Sequence, residues 1–357
     1  MEHIIDPKFF CCKKLTFAVP CYNHENYISE CLDSILAQEL NVPFDILVCD
    51  NGSTDNSSNV LREYLRKYPD KIKVIFLGKN GGVTHAYNTL FNHIKSEYFH
   101  IVDSDDYLLG THFVQKGLDF LESHRDFLVY AGNEVNFKNG SFCGHHFSKI
   151  FLGLSYSWSD VYKLPCSHFE PQTSSILFRN FVVFDAVKKE YLRAEKSGDR
   201  FWFDAFAGET IFFYQYLLFG KAFLSKDNVA VRRMLNSSVC SSLSPVSFRV
   251  ASALGCLIYI CHNILPEYRK FFESLFFWQY SCGLKLIYKN RANLNYLRQE
   301  DCDSLKEIYR LLPTADLDWS KLKWHSSILV RCFYKARAYA WLLCRQIHRI
   351  LSRKRIV

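Results

Sequence analysis

The sequence predicts an α/β protein with a mainly parallel central sheet covered by helices, followed by a helical C-terminal region. Four short apolar runs, rich in β-branched and aromatic residues, predict buried strands at 15–19, 44–49, 72–77 and 98–102. Segments of helical periodicity separate these runs, and such alternation implies parallel strands with helices on both faces. Helical periodicity returns over 248–309 with many aromatic residues, which predicts the C-terminal helical region.

The helices between the strands are predicted from the spacing of their apolar residues. The clearest apolar stripe comprises Ile28, Cys31, Leu32, Ile35 and Leu36, which would share one helix face. Similar stripes begin at positions 60 and 83. From 133 to about 175 the periodicity weakens into segments rich in glycine, serine and aromatic residues, which predicts irregular strands and loops.

Length, composition and charge bound the class of protein. A chain of 357 residues with 49% hydrophobic and 22% charged residues is a folded globular protein, with two domains or one large domain and an appendage. The formal net charge is +8, and the last 39 residues hold ten Lys and Arg and no acid. The remainder therefore carries 34 − 36 = −2, so the basic excess lies in the C-terminal tail.

Several other classes of protein are disfavoured. The apolar stretch 250–265 falls short of the roughly 20 residues that cross a bilayer. The first 14 residues lack the continuous apolar core of a signal peptide, so the 14 scattered cysteines are expected to be reduced cytosolic thiols. No CxxC pair accompanies the Cys and His doublets, which disfavours structural zinc. The basic tail matches no nucleic-acid-binding module.

Polar residues follow each predicted strand, at the edge of a parallel sheet where ligands bind. Asp50 ends the second strand, and a carboxylate held there can accept hydrogen bonds from a base or ribose hydroxyl. An ordinary capped Asn-Gly turn is the alternative for this segment.

The acidic loop, residues 103–106, places three carboxylates within four positions. Such carboxylates repel one another unless they are solvated, protonated or bound to a cation such as Mg²⁺ or Mn²⁺. A solvated turn is the alternative here.

Four ordered motifs together resemble the family 2 glycosyltransferases. They read FAVPCYNHENYI at 17–28, CLDSILAQ at 31–38, DNGSTD at 50–55 and VDSDD at 102–106. The resemblance covers roughly 14–235 and is strongest over 15–110. It implies a GT-A fold that binds a nucleotide-diphosphate sugar, usually a UDP-sugar, and transfers the sugar with inversion at its anomeric carbon.

The resemblance also implies a binding site for the donor. It assigns Pro20, Tyr22, Glu25 and Asp50 to the surroundings of the base and ribose. The acidic loop corresponds to the family's DXD motif, whose bound Mn²⁺ or Mg²⁺ contacts the diphosphate.

Within the acidic loop, Asp105 is the expected metal ligand, and Asp103 is a further candidate ligand that lies closer to the ribose. Asn80 and Asn88 match the family's donor-binding segment after the third strand. Tyr87 stands where the family often has Arg, so a phosphate clamp is not expected at that position.

An inverting displacement needs a general base for the acceptor hydroxyl. The family places an acidic residue before a helix well downstream of the metal motif, followed by a Gly-containing turn and an Arg-bearing strand. Glu209 fits that order, and Asp204 is the second candidate. A purely structural role for Glu209 at a helix N-terminus is the alternative. Arg232 and Arg233, on the predicted strand, would serve the diphosphate or cover surface.

Three regions are predicted: a GT-A nucleotide-sugar-binding catalytic domain at 1–235, a helical region at 236–327 and a basic amphipathic helix at 328–357. That helix would bind an anionic membrane surface and hold a cytoplasmic enzyme at the inner face of the membrane. A helix that packs its apolar stripe on the catalytic domain and exposes a solvated basic face is the alternative. The expected acceptor is a glycan or lipid-linked hydroxyl in bacterial surface-glycan assembly. The alternative is a catalytically inactive GT-A-fold scaffold or binding protein at the membrane. The sequence leaves the donor sugar, the linkage and the oligomeric state open.

Overall fold

The computed structural model describes residues 14–146, 152–157, 171–180, 213, 216–217, 220–235, 245–261, 269–290, 297 and 299–317. These residues fall into two compact units, one up to Leu235 and one from 245 to 317. The boundaries of the three predicted regions stay predictions. Within the described ranges, no helix is both long enough and apolar enough to span a membrane.

The first half of the first unit alternates strands and helices in the predicted order. Its elements are β1 (Leu15–Cys21), α1 (Ile28–Leu36), β2 (Phe44–Asp50), α2 (Ser57–Lys67), β3 (Ile72–Phe76), α3 (Val83–His93) and β4 (Tyr98–Ile101). β1 pairs in parallel with both β2 and β4, and β2 pairs in parallel with β3. Buried apolar residues on both sides of these strands explain why the four runs read as continuous apolar segments.

The second half of the first unit extends the same sheet. Its elements are β5 (Tyr107–Leu108), α4 (Phe113–Ser123), β6 (Phe127–Lys138), β7 (Ser141–His145), β8 (Leu154–Tyr156), β9 (Ile176–Arg179) and β10 (Lys221–Arg233). The strand order along the sheet is β3-β2-β1-β4-β9-β6-β10-β5. β9 runs antiparallel to β4 and β6, and β6 runs parallel to β10. The carboxyl ends of β1, β2, β4, β6 and β10 therefore share one edge.

One sequence expectation is wrong in part in this half. The pattern from 133 predicts irregular strands and loops, whereas β6 is a single strand that continues to Lys138. Pairing with β10 and β7 maintains the strand, with irregular register between β6 and β10 near Asn228. Gly132 permits this packing, because a Cβ there would lie 2.6 Å from a methyl carbon of Val229. The strand is thus determined by its partners rather than by its own periodicity.

The second unit is helical. It contains α5 (Pro245–Cys261), α6 (Arg269–Lys289) and α7 (Gln299–Leu311), and α5 packs against both of the others. Gly283 lets α6 approach α5 closely, because a Cβ there would lie 3.3 Å from Val250 Cγ2. The buried aromatic residues Phe272 and Phe276 lie on α6. The helical character predicted for 248–309 is thus present in the described parts of this region.

Candidate functional site

Asp50 lies at the carboxyl end of β2 and is buried, with 1% of its surface exposed. One carboxylate oxygen accepts a hydrogen bond from the Ser53 amide at 2.9 Å, and the other accepts one from the Ser58 hydroxyl. The carboxylate therefore organises the turn that leads into α2. Because a carboxylate has about four lone-pair positions, a further donor could still be accepted.

Asn51 joins the loops that follow β2 and β3. Its amide donates to Asn80 Oδ1 at 3.0 Å and to the Gly82 carbonyl at 2.8 Å, while its own Oδ1 accepts from the Gly81 amide at 3.2 Å. Gly52 allows this contact, since its φ is +71° and a Cβ would lie 2.4 Å from the carbonyl carbon of Lys79. Asn51 was not among the predicted site residues, although the Asn-Gly pair marked the turn.

The end of β1 and the loop that follows it carry three predicted donor-binding residues. Pro20 is half-buried within β1, whereas Tyr22 is 37% exposed beyond its end. The exposed Glu25 accepts from the Asn56 amide at 2.7 Å, and its own amide donates to Asp55 at 3.0 Å. These reciprocal hydrogen bonds connect the loop after β1 to the loop after β2, and so they hold the loop that carries Tyr22 in place.

The acidic loop follows β4 at the same edge of the sheet. His24 Nδ1 and the Ser104 hydroxyl lie 2.7 Å apart, which links this loop to the loop after β1. Asp103 is half-buried and accepts from the Tyr87 hydroxyl at 3.0 Å and from the Thr173 hydroxyl at 3.4 Å. Tyr87, which stands where the family often has Arg, thus contacts a carboxylate.

Asp106 is the buried member of the acidic loop, with 4% of its surface exposed. It accepts from the Ser174 hydroxyl at 3.0 Å and from the Arg233 amide at 2.9 Å. Burial raises the pKa of the Asp106 carboxyl well above its usual range, and the nearby carboxylates of Asp105, Glu134 and Asp103 add to the shift. This environment favours the protonated form of Asp106 and so reduces repulsion within the loop.

Arg233 does not have one of the two roles that the sequence suggested for it, that of covering surface. Its side chain is 8% exposed, so it does not cover surface. Its guanidinium donates to the Asp105 carbonyl at 2.5 Å and forms an ion pair with Glu30, so these donors are directed at protein groups rather than at a diphosphate. Arg232 is half-buried on the same strand.

The segment after β3 contains the two predicted asparagines. Asn80 Oδ1 accepts from the Gly82 amide at 2.8 Å as well as from Asn51, and so shapes the start of α3. Asn88 lies on α3 and is 3% exposed. Within the described part of the chain, its side-chain nitrogen has no hydrogen-bond partner.

The structure adds Ser174 and Glu134 to the surroundings of the acidic loop. Ser174 is fully buried, accepts from the Asp103 amide at 3.0 Å and donates to Asp106, so it anchors both ends of the acidic loop. Glu134 is fully buried within β6. A polar Ser-Ser pair directly before the apolar strand β9 was the available signal for Ser174.

The two candidate bases, Glu209 and Asp204, lie outside the described residues, as does the predicted amphipathic helix at 328–357. Among the residues that the structure does describe, no three His, Cys, Asp or Glu side chains are grouped closely enough to hold a metal ion by themselves.

This architecture is that of an open α/β protein, in which polar loops line the carboxyl edge of a mainly parallel sheet, the edge where ligands bind in such folds. Residues 16–186, just under half of the chain, match the family model "Glycosyl transferase family 2". The resemblance based on the four motifs is confirmed.

Similar curated proteins match part of this chain and a smaller part of their own length. A teichoic acid poly(glycerol phosphate) polymerase of Staphylococcus epidermidis is 38% identical over 95 residues, which are 27% of this chain and 13% of that protein. A poly(ribitol-phosphate) beta-glucosyltransferase of Bacillus spizizenii is 36% identical over 27% of this chain and 15% of its own length. Glycosyltransferase GlyA of Streptococcus pneumoniae is 32% identical over 50% of this chain and 24% of its own length. The chain thus matches less than a quarter of each of these relatives.

Solved structures support the fold. The crystal structure of S. aureus TarS residues 1–349 in complex with UDP-GlcNAc superimposes with a TM-score of 0.56 at 18% identity. The match covers 85% of this chain and 81% of that one. The predicted GT-A fold, with a central sheet flanked by helices and a helical C-terminal region, is confirmed.

Proposed function

We propose that this protein is an inverting glycosyltransferase that moves a sugar from a nucleotide-diphosphate donor to a hydroxyl of an acceptor. The observation that carries the proposal is the meeting of Asp50, the loop after β1 and the acidic loop at one edge of the sheet. The match to the model of glycosyl transferase family 2 supports it.

The donor is proposed to be a UDP-hexose or UDP-N-acetylhexosamine. TarS, which shares the fold, has been crystallised with UDP and with UDP-GlcNAc. In this chain, the base and ribose would contact Pro20, Tyr22, Glu25 and Asp50. The exposed ring of Tyr22 is available for stacking on the base. The side-chain nitrogen of Asn88, which has no hydrogen-bond partner among the described residues, could donate a hydrogen bond to a polar ligand group or to water.

A divalent cation, Mn²⁺ or Mg²⁺, fits the chemistry of the acidic loop. Mg²⁺ is usually bound through one or two carboxylates together with substrate phosphates, and the half-buried Asp105 and Asp103 supply carboxylate oxygens of that kind. The absence of a third ligand among the described residues agrees with a site completed by the donor diphosphate. When bound, such a cation neutralises charge on the leaving nucleoside diphosphate.

Proton transfer from the acceptor is assigned to Glu209, with Asp204 as the second candidate. The motif order in the sequence supports this assignment. A carboxylate within hydrogen-bond reach of the acceptor hydroxyl would remove its proton as the oxygen attacks the anomeric carbon. The donor site, held by the loops described above, would fix the sugar while this proton moves.

The acceptor is proposed to be a glycan or lipid-linked hydroxyl in bacterial surface-glycan assembly. The names of two relatives, a teichoic acid poly(glycerol phosphate) polymerase and a poly(ribitol-phosphate) beta-glucosyltransferase, support that class. The basic segment 328–357 would hold the enzyme at the cytoplasmic face of the membrane, where each Lys or Arg contributes about 1 kcal/mol on an anionic surface. This segment would bring the active site to a membrane-bound acceptor.

A panel of UDP-sugars tests the proposal. Purified protein is incubated with each donor in Mn²⁺ or in EDTA, and UDP release is measured with and without candidate glycan acceptors. We expect one donor to be consumed with Mn²⁺, and the anomeric configuration of the product to be inverted. Binding of UDP-sugars without any turnover would favour the inactive scaffold instead, and no binding of any donor would refute the assignment.

A further inference from the structure

Arg233, the last residue of β10, makes three polar contacts beneath the acidic loop. Its backbone amide donates to Asp106 Oδ1 at 2.9 Å, and its guanidinium Nη1 donates to the Asp105 carbonyl at 2.5 Å. Guanidinium Nη2 pairs with the Glu30 carboxylate on α1. One residue thus holds two successive members of the loop through separate groups, from a strand more than 120 positions away along the chain.

Two tyrosines fix the guanidinium in place. The Arg233 guanidinium carbon lies 4.6 Å from the ring centroid of Tyr107 and 5.2 Å from that of Tyr27. Arginine suits this position because its planar group can stack on aromatic rings while its edge donates several hydrogen bonds. Lysine has one compact ammonium group and cannot make the same set of contacts at once.

These contacts determine where the Asp105 side chain can be. The Asp105 carboxylate has no direct hydrogen bond to Arg233; instead, its own backbone carbonyl is held by the guanidinium. Fixing the carbonyl fixes the peptide plane that follows Cα and restricts the directions the side chain can take. Glu30 is at the same time the acidic partner of the guanidinium. The Arg233 charge is therefore compensated by α1 rather than by a ligand.

We propose that Arg233 is a positioning residue that holds the acidic loop in the conformation in which Asp105 can bind a divalent cation and diphosphate. This inference rests on the proposed function for the identity of that ligand. The inference that Arg233 fixes the conformation of the loop rests only on the contacts described. Arg233 acts through the Asp105 carbonyl and Asp106, and it is not itself assigned a contact with substrate.

Arg233→Lys is the main test, because lysine keeps the charge and most of the apolar stem. Glu30→Gln is the second variant; its side chain is 57% exposed, so the substitution removes the ion pair with little risk to folding. Lys221→Met is the matched control, since Lys221 starts the same strand and its exposed ion pair with Asp126 lies at the opposite end. Circular dichroism and melting temperature establish that each variant is folded.

Two measurements are made on the full chain. The first is hydrogen–deuterium exchange of peptides spanning 102–109 without ligand. In this stretch the Asp106 amide donates to the Asp103 carbonyl within the loop, and the Asp103 amide donates to the Ser174 hydroxyl. The second is the affinity for Mn²⁺ with UDP by calorimetry, together with the Mn²⁺ concentration that gives half-maximal UDP release.

For Arg233→Lys we expect about tenfold faster exchange at 102–109 and about tenfold weaker Mn²⁺·UDP binding, as for loss of one charge-assisted hydrogen bond. The rate at saturating Mn²⁺ should stay within about twofold of wild type, whereas a merely structural defect would lower the rate at every Mn²⁺ concentration. Glu30→Gln should also speed exchange at 102–109 and weaken Mn²⁺·UDP binding, but by less. Lys221→Met should change neither the exchange nor the affinity.

Unchanged exchange at 102–109 in Arg233→Lys would overturn the proposal, whatever the ligand. Faster exchange with wild-type affinity for Mn²⁺·UDP would overturn the positioning role. If wild-type protein binds no Mn²⁺·UDP, the proposed function fails, and the exchange measurement still decides whether Arg233 holds the loop.

Discussion

His100 should make the first unit sensitive to mild acid. It lies on β4, fully buried, with its ring stacked on Phe17 at 5.7 Å between centroids. Its Nε2 lies 2.9 Å from the Ser174 carbonyl, and its Nδ1 has no partner among the described residues. Burial lowers the pKa of His100 from 6.5 to about 4, because the charged ring would lose its hydration.

The sign and size of the effect follow from linkage. Below pH 6.5 the unfolded chain takes up a proton on His100, whereas the folded protein stays neutral there until about pH 4. Stability from this group is therefore complete above pH 6.5 and is lost as the pH falls toward 4. At pH 5, about 1.5 pH units below the unfolded pKa, the loss is about 2 kcal/mol at 1.36 kcal/mol per unit.

The assay compares wild type with His100→Gln, which keeps a hydrogen-bond donor but cannot titrate. The free energy of unfolding is measured by urea denaturation at pH 7.5 and pH 5. We expect wild type to lose about 2 kcal/mol more than the variant between these pH values, because contributions from carboxylates cancel in the comparison. His124→Gln, which removes an exposed imidazole, controls for losing a histidine. An identical pH dependence in wild type and His100→Gln would refute the reasoning.

Four further outcomes are expected. Asp105→Ala should abolish sugar transfer in Mn²⁺ while preserving the fold, since it removes one of several mutually repelling carboxylates. Glu209→Gln should keep donor binding, measured by calorimetry, but lower turnover by roughly 10²–10⁴-fold. Deletion of 328–357 should abolish co-sedimentation with anionic liposomes and leave UDP-sugar hydrolysis unchanged. Gly52→Ala should lower the free energy of unfolding by more than about 1 kcal/mol, because its φ is +71° and its Cβ would meet backbone.

Each of these expectations has a contrary result. Near wild-type activity of Asp105→Ala in metal-free buffer would contradict the metal assignment, and a loss below tenfold in Glu209→Gln would move the base to Asp204. Liposome binding that is insensitive to salt, or unchanged by the deletion, would contradict the role of the tail. Gly140→Ala is the control for Gly52→Ala, since Gly140 has φ of +81° but open space around it. If the two substitutions lower the free energy of unfolding equally, the contact of the new Cβ with Lys79 does not contribute to the loss.

The sequence by itself determined the framework of the first unit and the edge that carries the site. β1 to β4 were predicted to within a few residues, because strands buried on both faces leave continuous apolar runs in the local sequence. Strand–helix alternation then implied a parallel sheet, which brings the loop after β1, Asp50 and the acidic loop to one edge. These inferences depend only on short-range patterns and on a general rule of topology.

The tertiary structure alone decided how the acidic loop is held. Ser174 and Arg233 reach Asp106 from 68 and 127 positions further along the chain, because β9 inserts beside β4 and β10 ends beside β5. No local periodicity encodes such contacts; they depend on strand order and register. The same holds for Glu134, whose burial follows from pairing of β6 with β10. Local sequence specifies which residues can carry the chemistry, and long-range pairing specifies what fixes them in place.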